Sequence, residues 1–236
     1  MPVKITCLGH SGFVVETEKF NFVFDYYKGE IPDLSQRKET FVFISHRHYD
    51  HMNTDVFALS KNMKRVKYIL SSDIPTAILE EHGVRDYIMV SPGKRLQLET
   101  GRGRLKIRTI PSTDAGVAFI VSTKNETLFH AGDLNLWLWD GMSEEEVYNM
   151  TAAYKEYTSV LRKYQIDVAF LTLDNRQKQY AFLNIDYFMR RFKIAHCIPM
   201  HYSGSTKICD VLKDSDMSID YRDRIIKLKP FRYVTI

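Results

Sequence analysis

Three histidines and one aspartate lie within a short segment of this chain, at His46, His48, Asp50 and His51. Imidazole and carboxylate groups are the ligands that Zn²⁺ and similar first-row divalent ions prefer. His46 and His48 can project the same way from a strand end and hold one ion, while the following turn can reach a second position. The alternative is a polar loop with unrelated histidines. Only 8 histidines occur in 236 residues, which disfavours that alternative.

The segment that must position this motif is residues 41–44, an apolar run rich in aromatic and β-branched side chains. Such a run predicts a short buried strand. Other candidate site residues share this placement at or just after the end of a predicted strand: Asp25, Asp114, Asp133 and His201. Polar groups at several strand ends can face one site, so we expect these side chains to converge.

The rest of the chain alternates between strand and helix patterns, as in a mixed sheet flanked by helices. Further predicted strands are 3–8, 13–17, 20–25, 66–70, 87–90, 94–98, 104–110, 116–122, 167–173, 197–200 and 224–228. Helices are predicted over 54–60, 143–164, 180–192 and 205–213. Another helix is predicted to open with Asp73 as its N-cap and Pro75 in its first turn. Ser143 and Glu146 fit a capping box at the start of the longest helix.

The pattern His-x-His-x-Asp-His after an apolar strand resembles the signature of the metallo-β-lactamase superfamily of metal-dependent hydrolases. Three further features occur in the order that this family shows: the turn at Gly9-His10 before the motif, and the pair Gly132-Asp133 and then His201 after it. The resemblance therefore covers nearly the whole chain, and implies one domain over residues 1–236. It implies an α+β fold, a four-layer αβ/βα sandwich in which two mixed sheets face each other with helices outside.

The resemblance also implies a set of metal ligands. His46 and His48 would hold one metal, Asp50, His51 and His201 the other, and Asp133 would bridge the two. The family usually takes one more histidine from the turn after residues 104–110, but this chain has Ser112, Thr113 and Asp114 there. We predict that Asp114 fills that position. A turn aspartate with no metal explains it equally well.

Several residues are predicted to act around the ligands. Asp25 is expected to accept the spare imidazole N–H of a ligand and so fix its ring. His10 is a candidate for the same outer layer or for substrate contact. Arg47, Arg176 and Tyr202 adjoin the predicted ligands and are candidates to bind an anionic group, although arginines on a surface are more often only solvated.

The cofactor implied by the resemblance is a pair of zinc ions, with Mn²⁺ or Fe²⁺ as alternatives. Two such ions sharing a water would lower its pKa towards about 7 and supply a bridging hydroxide. That hydroxide would attack a phosphoester, phosphodiester, lactone or amide, with Asp50 and His51 as the catalytic residues.

Two other functions remain open from the sequence. One is a di-iron redox protein of the same fold, although such relatives tend to carry glutamate where this chain has His48, which favours zinc or manganese. The other is a non-catalytic or regulatory metal-binding protein. The missing histidine among residues 112–114 supports that alternative.

Composition excludes several classes of protein. A net charge of +4 is too small to indicate a nucleic-acid partner, and no apolar run approaches the length of about 18 residues that a membrane span needs. The first residues contain no signal-peptide core, which predicts a cytoplasmic protein. Three cysteines at irregular spacing predict buried thiols and no disulfide framework. We expect a small-molecule substrate, and homo-oligomerisation is compatible with the sequence.

Overall fold

The computed structural model describes residues 2–202 and 205–236. Within these ranges seven strands, numbered in chain order, form the first sheet. They are β1 (Lys4–Gly9), β2 (Gly12–Glu16), β3 (Phe20–Phe24), β4 (Glu39–Ile44), β5 (Val66–Ser71), β6 (Tyr87–Val90) and β13 (Tyr233–Thr235). Their spatial order is β13-β1-β2-β3-β4-β5-β6. The pairs from β13 to β3 are antiparallel and those from β3 to β6 are parallel.

The other described strands form a second mixed sheet. They are β7 (Arg95–Thr100), β8 (Gly103–Pro111), β9 (Val117–Ser122), β10 (Thr127–His130), β11 (Gln165–Thr172) and β12 (Lys193–Met200). Their spatial order is β12-β11-β10-β9-β8-β7. The pairs among β7 to β10 are antiparallel, whereas β10, β11 and β12 run parallel. Each sheet therefore has an antiparallel part and a parallel part.

The two sheets pack face to face through aromatic rings. Phe13 and Phe24 of the first sheet contact Phe170 of the second, with ring centroids 4.4 and 6.0 Å apart. Phe43 contacts Phe119 across the same interface at 5.2 Å. All these rings are buried, and large aromatic side chains dominate the energetics of such cores.

Helices cover the outer faces of the sheets. They are α1 (Leu59–Asn62), α2 (Thr76–Glu81), α3 (Glu144–Thr158), α4 (Leu183–Arg191) and α5 (Lys207–Asp214). α1 packs on β5, α3 on β8, and α4 on β11 and β12. The predicted αβ/βα sandwich is thereby confirmed. The capping box of Ser143 and Glu146 is also present at the start of α3. No helix in the described ranges is long and apolar enough to cross a bilayer.

The structure corrects the predicted start of α2. The N-cap is Pro75, whose side chain makes no capping hydrogen bond, and the first helical residue is Thr76. Asp73 does not cap this helix. Its Oδ2 accepts a hydrogen bond from the backbone N–H of Arg47 at 3.0 Å, so the carboxylate stabilises the loop that carries the histidine motif.

Two predictions near the ends of elements also differ from the structure. The longest helix stops at Thr158 and continues as a 3₁₀ turn, Ser159–Lys163. The predicted strand 224–228 is wrong, because Ile225 makes only an isolated bridge to Cys197. Ile225 and Leu228 are buried in the core and Ile226 packs against it, so their pattern reflects packing rather than sheet pairing. The last strand is β13, which pairs with β1.

Candidate metal centre

The candidate site lies where the parallel strands of both sheets end. β3 and β4 run side by side and are followed by Asp25 and, after Ser45, by His46. β10, β11 and β12 are likewise parallel, and Asp133, Asp174 and His201 follow them. Sites in sheets with parallel strands form outside the carboxyl ends of those strands. Residues more than a hundred positions apart are thereby brought to one cleft.

The candidate ligands fall into two groups, and within each group the ligand atoms lie within 4.8 Å of one another. The first group is His46, His48 and Asp133. The second group is His10, Asp50, His51 and His201. All of these residues are predicted from the sequence to lie in or around the site. For His10 the prediction is a contact to a ligand or to substrate, whereas the structure places it among the candidate ligand atoms of the second group.

Asp133 lies between the two groups. Its Oδ2 is 3.3 Å from Nε2 of His46, and its Oδ1 is 3.0 Å from Nε2 of His51 and 3.3 Å from Nε2 of His201. One carboxylate therefore faces histidines of both groups with a different oxygen towards each. This is the arrangement that a bridging ligand requires.

The donor atoms of this site fit divalent cations. Nε2 of His10, His46 and His51 and Oδ1 of Asp133 are buried and have no hydrogen-bond partner. Burying a polar atom without a partner costs free energy, so such atoms in a native structure are normally satisfied by something. Four such atoms, three imidazole nitrogens and one carboxylate oxygen, match the ligand preference of zinc and related ions.

Asp25 holds the ring of His51, and an acceptor for an imidazole N–H is the role predicted for Asp25 from the sequence. Its Oδ2 accepts a hydrogen bond from Nδ1 of His51 at 2.7 Å. Because Nδ1 carries the proton, Nε2 keeps its lone pair and faces the cleft. Burial alone would raise the pKa of the Asp25 carboxyl, but the surrounding histidines, His130 and His51 foremost, lower it. Asp25 is therefore an anion that can orient a ligand.

Ser45 links the Asp25 carboxylate to the ring of His46. The Ser45 hydroxyl donates to Oδ2 of Asp25 at 2.6 Å, and the Ser45 backbone N–H donates to Oδ1 at 2.7 Å. Since the hydroxyl donates its only proton to Asp25, it can only accept a hydrogen bond from Nδ1–H of His46, 2.9 Å away. Nε2 of His46 is thus left as an acceptor. One buried carboxylate orients a histidine from each ligand group.

Ser45→Ala should lower zinc affinity by about 10- to 100-fold, the usual cost of losing a partner of a metal ligand. The variant leaves Nδ1 of His46 without its acceptor, so the ring loses its fixed tautomer and orientation. Zinc competition with a chromophoric chelator measures the change. Ser71→Ala removes another buried serine hydroxyl, at the end of β5, and serves as the control. Equal affinities for both variants would refute the role of Ser45.

Asp174 orients His201, and the sequence analysis does not identify it. Its Oδ2 accepts from Nδ1 of His201 at 3.1 Å. The guanidinium of Arg176 donates to both oxygens of the same carboxylate, at 2.6 and 3.0 Å. The signal was present, because Asp174 follows the buried strand 167–173 just as Asp25 and Asp133 follow theirs.

The electrostatics of the cleft follow from these carboxylates. Burial alone would lower the pKa of His51 and His201, but Asp133, together with Asp25 and Asp174, raises these pKa values to about 10 and about 9. His10 has the opposite shift, because burial and the nearby His201 and His51 lower its pKa to about 4. When its histidines are neutral, the cleft carries the negative charge of these carboxylates. That charge favours a bound cation.

His130 is held away from the ligand groups. Its Nε2 lies 2.9 Å from the Ser11 carbonyl oxygen, to which it donates, and its Nδ1 accepts from the Gly132 backbone N–H at 3.2 Å. Both ring nitrogens are occupied, and burial lowers the pKa of this ring. The neutral ring stacks on Phe24 with centroids 5.0 Å apart. His130 thus joins β10 to the turn that carries His10.

Asp114 lies at the rim of the cleft, but it belongs to neither group of ligand atoms. Its side chain is exposed. The turn that carries it approaches the site through Gly116, where an added Cβ would lie 1.9 Å from the Ser45 carbonyl oxygen. Close contact by Gly116 holds this turn against the histidine motif, while Asp114 stays exposed at the rim of the cleft.

Of the three residues proposed to bind an anionic group, the structure places only Arg176 along the cleft. Arg47 is exposed, and its backbone N–H is bound by Asp73. The hydroxyl of Tyr202 is buried without a hydrogen-bond partner, and burial raises its pKa. The Tyr202 ring packs against the hydrophobic core.

The cleft that His48, Asp50, Asp133 and His201 help to line has a volume of about 420 Å³ and one aromatic wall. Trp137 and Trp139 stack with centroids 5.8 Å apart and planes inclined by 6°. The Trp137 indole N–H donates to the Asp133 carbonyl oxygen at 2.9 Å, and its ring lies 5.8 Å from that of His201. The wall is therefore anchored to the ligands, and Arg176 stands at the opening.

The chain resembles known proteins in sequence and in fold. The chain is 22% identical over 217 residues to a UPF0173 metal-dependent hydrolase of Pyrobaculum islandicum, which covers 85% of this chain and 84% of the relative. The fold is similar to that of Igni18, a metallo hydrolase from Ignicoccus hospitalis, with a TM-score of 0.70, 19% identity and coverage of 100% and 99% of the two chains.

A second solved structure with this fold is CmlA, a diiron β-hydroxylase from Streptomyces venezuelae. The TM-score is 0.64 at 14% identity, over 99% of this chain and 54% of CmlA. The family model described as the β-lactamase superfamily domain matches residues 23–202. That range includes the histidine motif, Asp133 and His201, and it covers most of the chain. This protein is a member of the metallo-β-lactamase superfamily.

Proposed function

We propose that this protein is a metal-dependent hydrolase of small molecules, and that its two ligand groups hold a pair of divalent cations. One observation carries the proposal: four buried donor atoms without hydrogen-bond partners belong to the two adjoining ligand groups. The relatives named metal-dependent hydrolases support the same class of reaction. Zinc suits a donor set dominated by imidazole, and manganese or iron are the alternatives.

Bound cations would polarise a substrate oxygen and lower the pKa of water towards about 7, which supplies a nucleophile at neutral pH. The chain's own residues bind and orient. Asp133 faces both groups, while Asp25 and Asp174 keep His51 and His201 in the tautomer that presents Nε2. The Asp50 carboxylate is partly exposed along the cleft, where it would accept a hydrogen bond from an attacking water.

The cleft favours a substrate with an anionic group and a flat apolar part. Arg176 is exposed at the opening, while Asp174 holds its guanidinium in a fixed orientation. Trp137 and Trp139 offer stacked indole rings. A guanidinium recognises carboxylate or phosphate, and aromatic walls bind planar apolar groups. Phosphoester, phosphodiester, lactone and amide bonds all remain within this class.

Removal of metal tests the proposal. Treatment with a chelator should abolish turnover on a panel of aryl phosphoesters, phosphodiesters, lactones and amides. Addition of Zn²⁺ or Mn²⁺ should restore it. Elemental analysis of the protein as purified gives the identity of the metal, and anomalous scattering at its absorption edge locates the ions. Metal binding without turnover on any substrate would favour the regulatory alternative instead.

A di-iron redox protein is the second candidate, because CmlA has this fold and is a diiron β-hydroxylase. The first ligand group of this chain contains His48 where di-iron proteins of this fold tend to carry glutamate, and an imidazole in place of that carboxylate favours zinc over an oxygen-rich iron site. Iron at two ions per chain with a visible absorption band would support the redox protein. Zinc or manganese with hydrolytic turnover would support the hydrolase.

Some expectations from the sequence stay predictions. These are a single domain over 1–236, a cytoplasmic location and the absence of a nucleic-acid partner. The three cysteines are all buried free thiols, which is compatible with a reducing compartment.

A further inference from the structure

We infer that His10 is itself a metal ligand, and that the group formed by His10, Asp50, His51 and His201 binds its cation before the group formed by His46, His48 and Asp133. This inference rests on the metal binding in the proposed function but not on hydrolysis. It assigns a role to a residue outside the histidine motif and an order to the two sites.

The position of His10 is that of a ligand. Its Nε2 is 3.4 Å from Oδ2 of Asp50, and its ring centroid is 4.2 Å from that of His201 and 5.3 Å from that of His51. Nε2 is buried and has no hydrogen-bond partner. It lies within 4.8 Å of the ligand atoms of all three neighbours. A cation among them would satisfy this nitrogen.

The fold holds the backbone of His10 in an unfavourable conformation. Its φ is 50°, in the left-handed region that a non-glycine residue adopts only when its surroundings impose it. Two contacts impose it here. The His10 carbonyl oxygen accepts from the backbone N–H of His201 at 3.2 Å, and His130 donates to the carbonyl oxygen of Ser11. Such a constrained backbone at a ligand group indicates a functional position.

The two groups differ in the number of donors. The second group has four residues, and Oδ1 of Asp133 lies 3.0 to 3.3 Å from two of its histidines. The first group has only three residues, because the turn that carries Asp114 supplies no ligand atom to it.

The two groups also differ in rigidity. In the second group, His51 and His201 are both buried and are oriented by Asp25 and Asp174. In the first group, His46 is buried and held through Ser45, whereas His48 is exposed. Orienting partners raise metal affinity by fixing the ring and its tautomer. The second group combines more donors with better fixed donors, so it should bind a cation more tightly.

Zinc titration of the metal-free protein tests this order. The probe is Zn²⁺ in competition with a chromophoric chelator, with bound zinc counted by elemental analysis after dialysis. The wild-type protein should bind its first zinc ion at least ~10-fold more tightly than its second. Loss of a residue that orients a metal ligand already changes metal affinity by this factor. His48→Ala should keep the tight ion and lose the weaker one.

His10→Asn tests the ligand itself. Asparagine tolerates the left-handed backbone but is too short to reach the cation. This variant should weaken the tight ion by at least ~10-fold. His196→Asn is the control, because His196 lies in the first half of β12, away from the cleft. Thermal unfolding of the metal-free variants reports whether each one folds.

Three results would overturn the inference: an unchanged tight ion in His10→Asn, loss of the tight ion in His48→Ala, or two equal ions in the wild-type protein. If His10→Asn does not fold, the ion count of His48→Ala still decides the order. A wild-type protein that binds no zinc or manganese would instead refute the proposed function. The two failures are therefore distinguishable.

Discussion

Replacement of Asp133 by asparagine is expected to lower metal-dependent turnover by more than ~100-fold, beyond the usual loss when an outer partner of a ligand is removed. Asparagine has nearly the same shape, but it lacks the negative charge and replaces one acceptor oxygen with a donor. Asp133 faces His46 with Oδ2 and both His51 and His201 with Oδ1. Its loss therefore affects both ligand groups.

Zinc content should fall together with activity in this variant. Asp133 is 5% exposed, and its carboxylate contacts only histidines of the site, so the fold should survive the substitution. Asp140→Asn is a suitable control, because Asp140 is exposed and pairs with Lys178 on the surface. Normal zinc content and normal turnover in Asp133→Asn would refute the assignment of the bridging carboxylate.

Gly116→Ala should cost at least ~3 kcal/mol in the free energy of unfolding, as the sum of backbone strain and overpacking. The φ of Gly116 is 65°, and an added Cβ would lie 1.9 Å from the Ser45 carbonyl oxygen and 2.6 Å from Cβ of His46. The first contact is with backbone, which cannot turn aside. Either the turn moves away or the strand end that carries His46 shifts.

The chain offers a matched control for this prediction. Gly93 also has a positive φ, of 80°, but nothing lies within 4 Å of the position of its Cβ. Gly93→Ala should therefore cost only the backbone strain, about 1 kcal/mol. Urea unfolding of the metal-free proteins measures both losses. Equal losses would show that the turn and the histidine motif adapt to each other.

The two substitutions separate chemistry from support. Asp133→Asn should remove metal and leave the fold, whereas Gly116→Ala should weaken the fold and disturb His46 as a consequence. Zinc content measured at a temperature well below unfolding distinguishes them. A folded Gly116→Ala variant with full zinc content would mean that His46 keeps its position despite the added methyl group.

The sequence predicts most of the elements, because their signals are local. The apolar run 41–44 with polar residues directly after it indicates a strand ending at a site, and β4 (Glu39–Ile44) confirms it. The same logic applies to Asp25, Asp133 and His201, which all follow strands. Local patterns fail where packing decides, as in residues 224–228, whose Ile225 and Leu228 are apolar because they are buried in the core and not because they pair in a sheet.

The outer contacts of the ligands depend on distant parts of the chain. Asp174 contacts His201 27 residues away, and Asp25 contacts His51 26 residues away. His130 supports the His10 turn across 119 residues. None of these pairs shares a local pattern, because strand order and register, not sequence distance, set which side chains meet.

By itself, the sequence determines the ligand types and the strands that end at them, since residue chemistry and apolar runs are properties of short segments. Tertiary structure alone decides which of these residues lie close enough together to share a cation. The packing of two sheets brings His10 in among the ligand atoms, while the close approach of Gly116 leaves Asp114 at the rim. Both outcomes follow from how backbones pack, and a single sequence does not encode that locally.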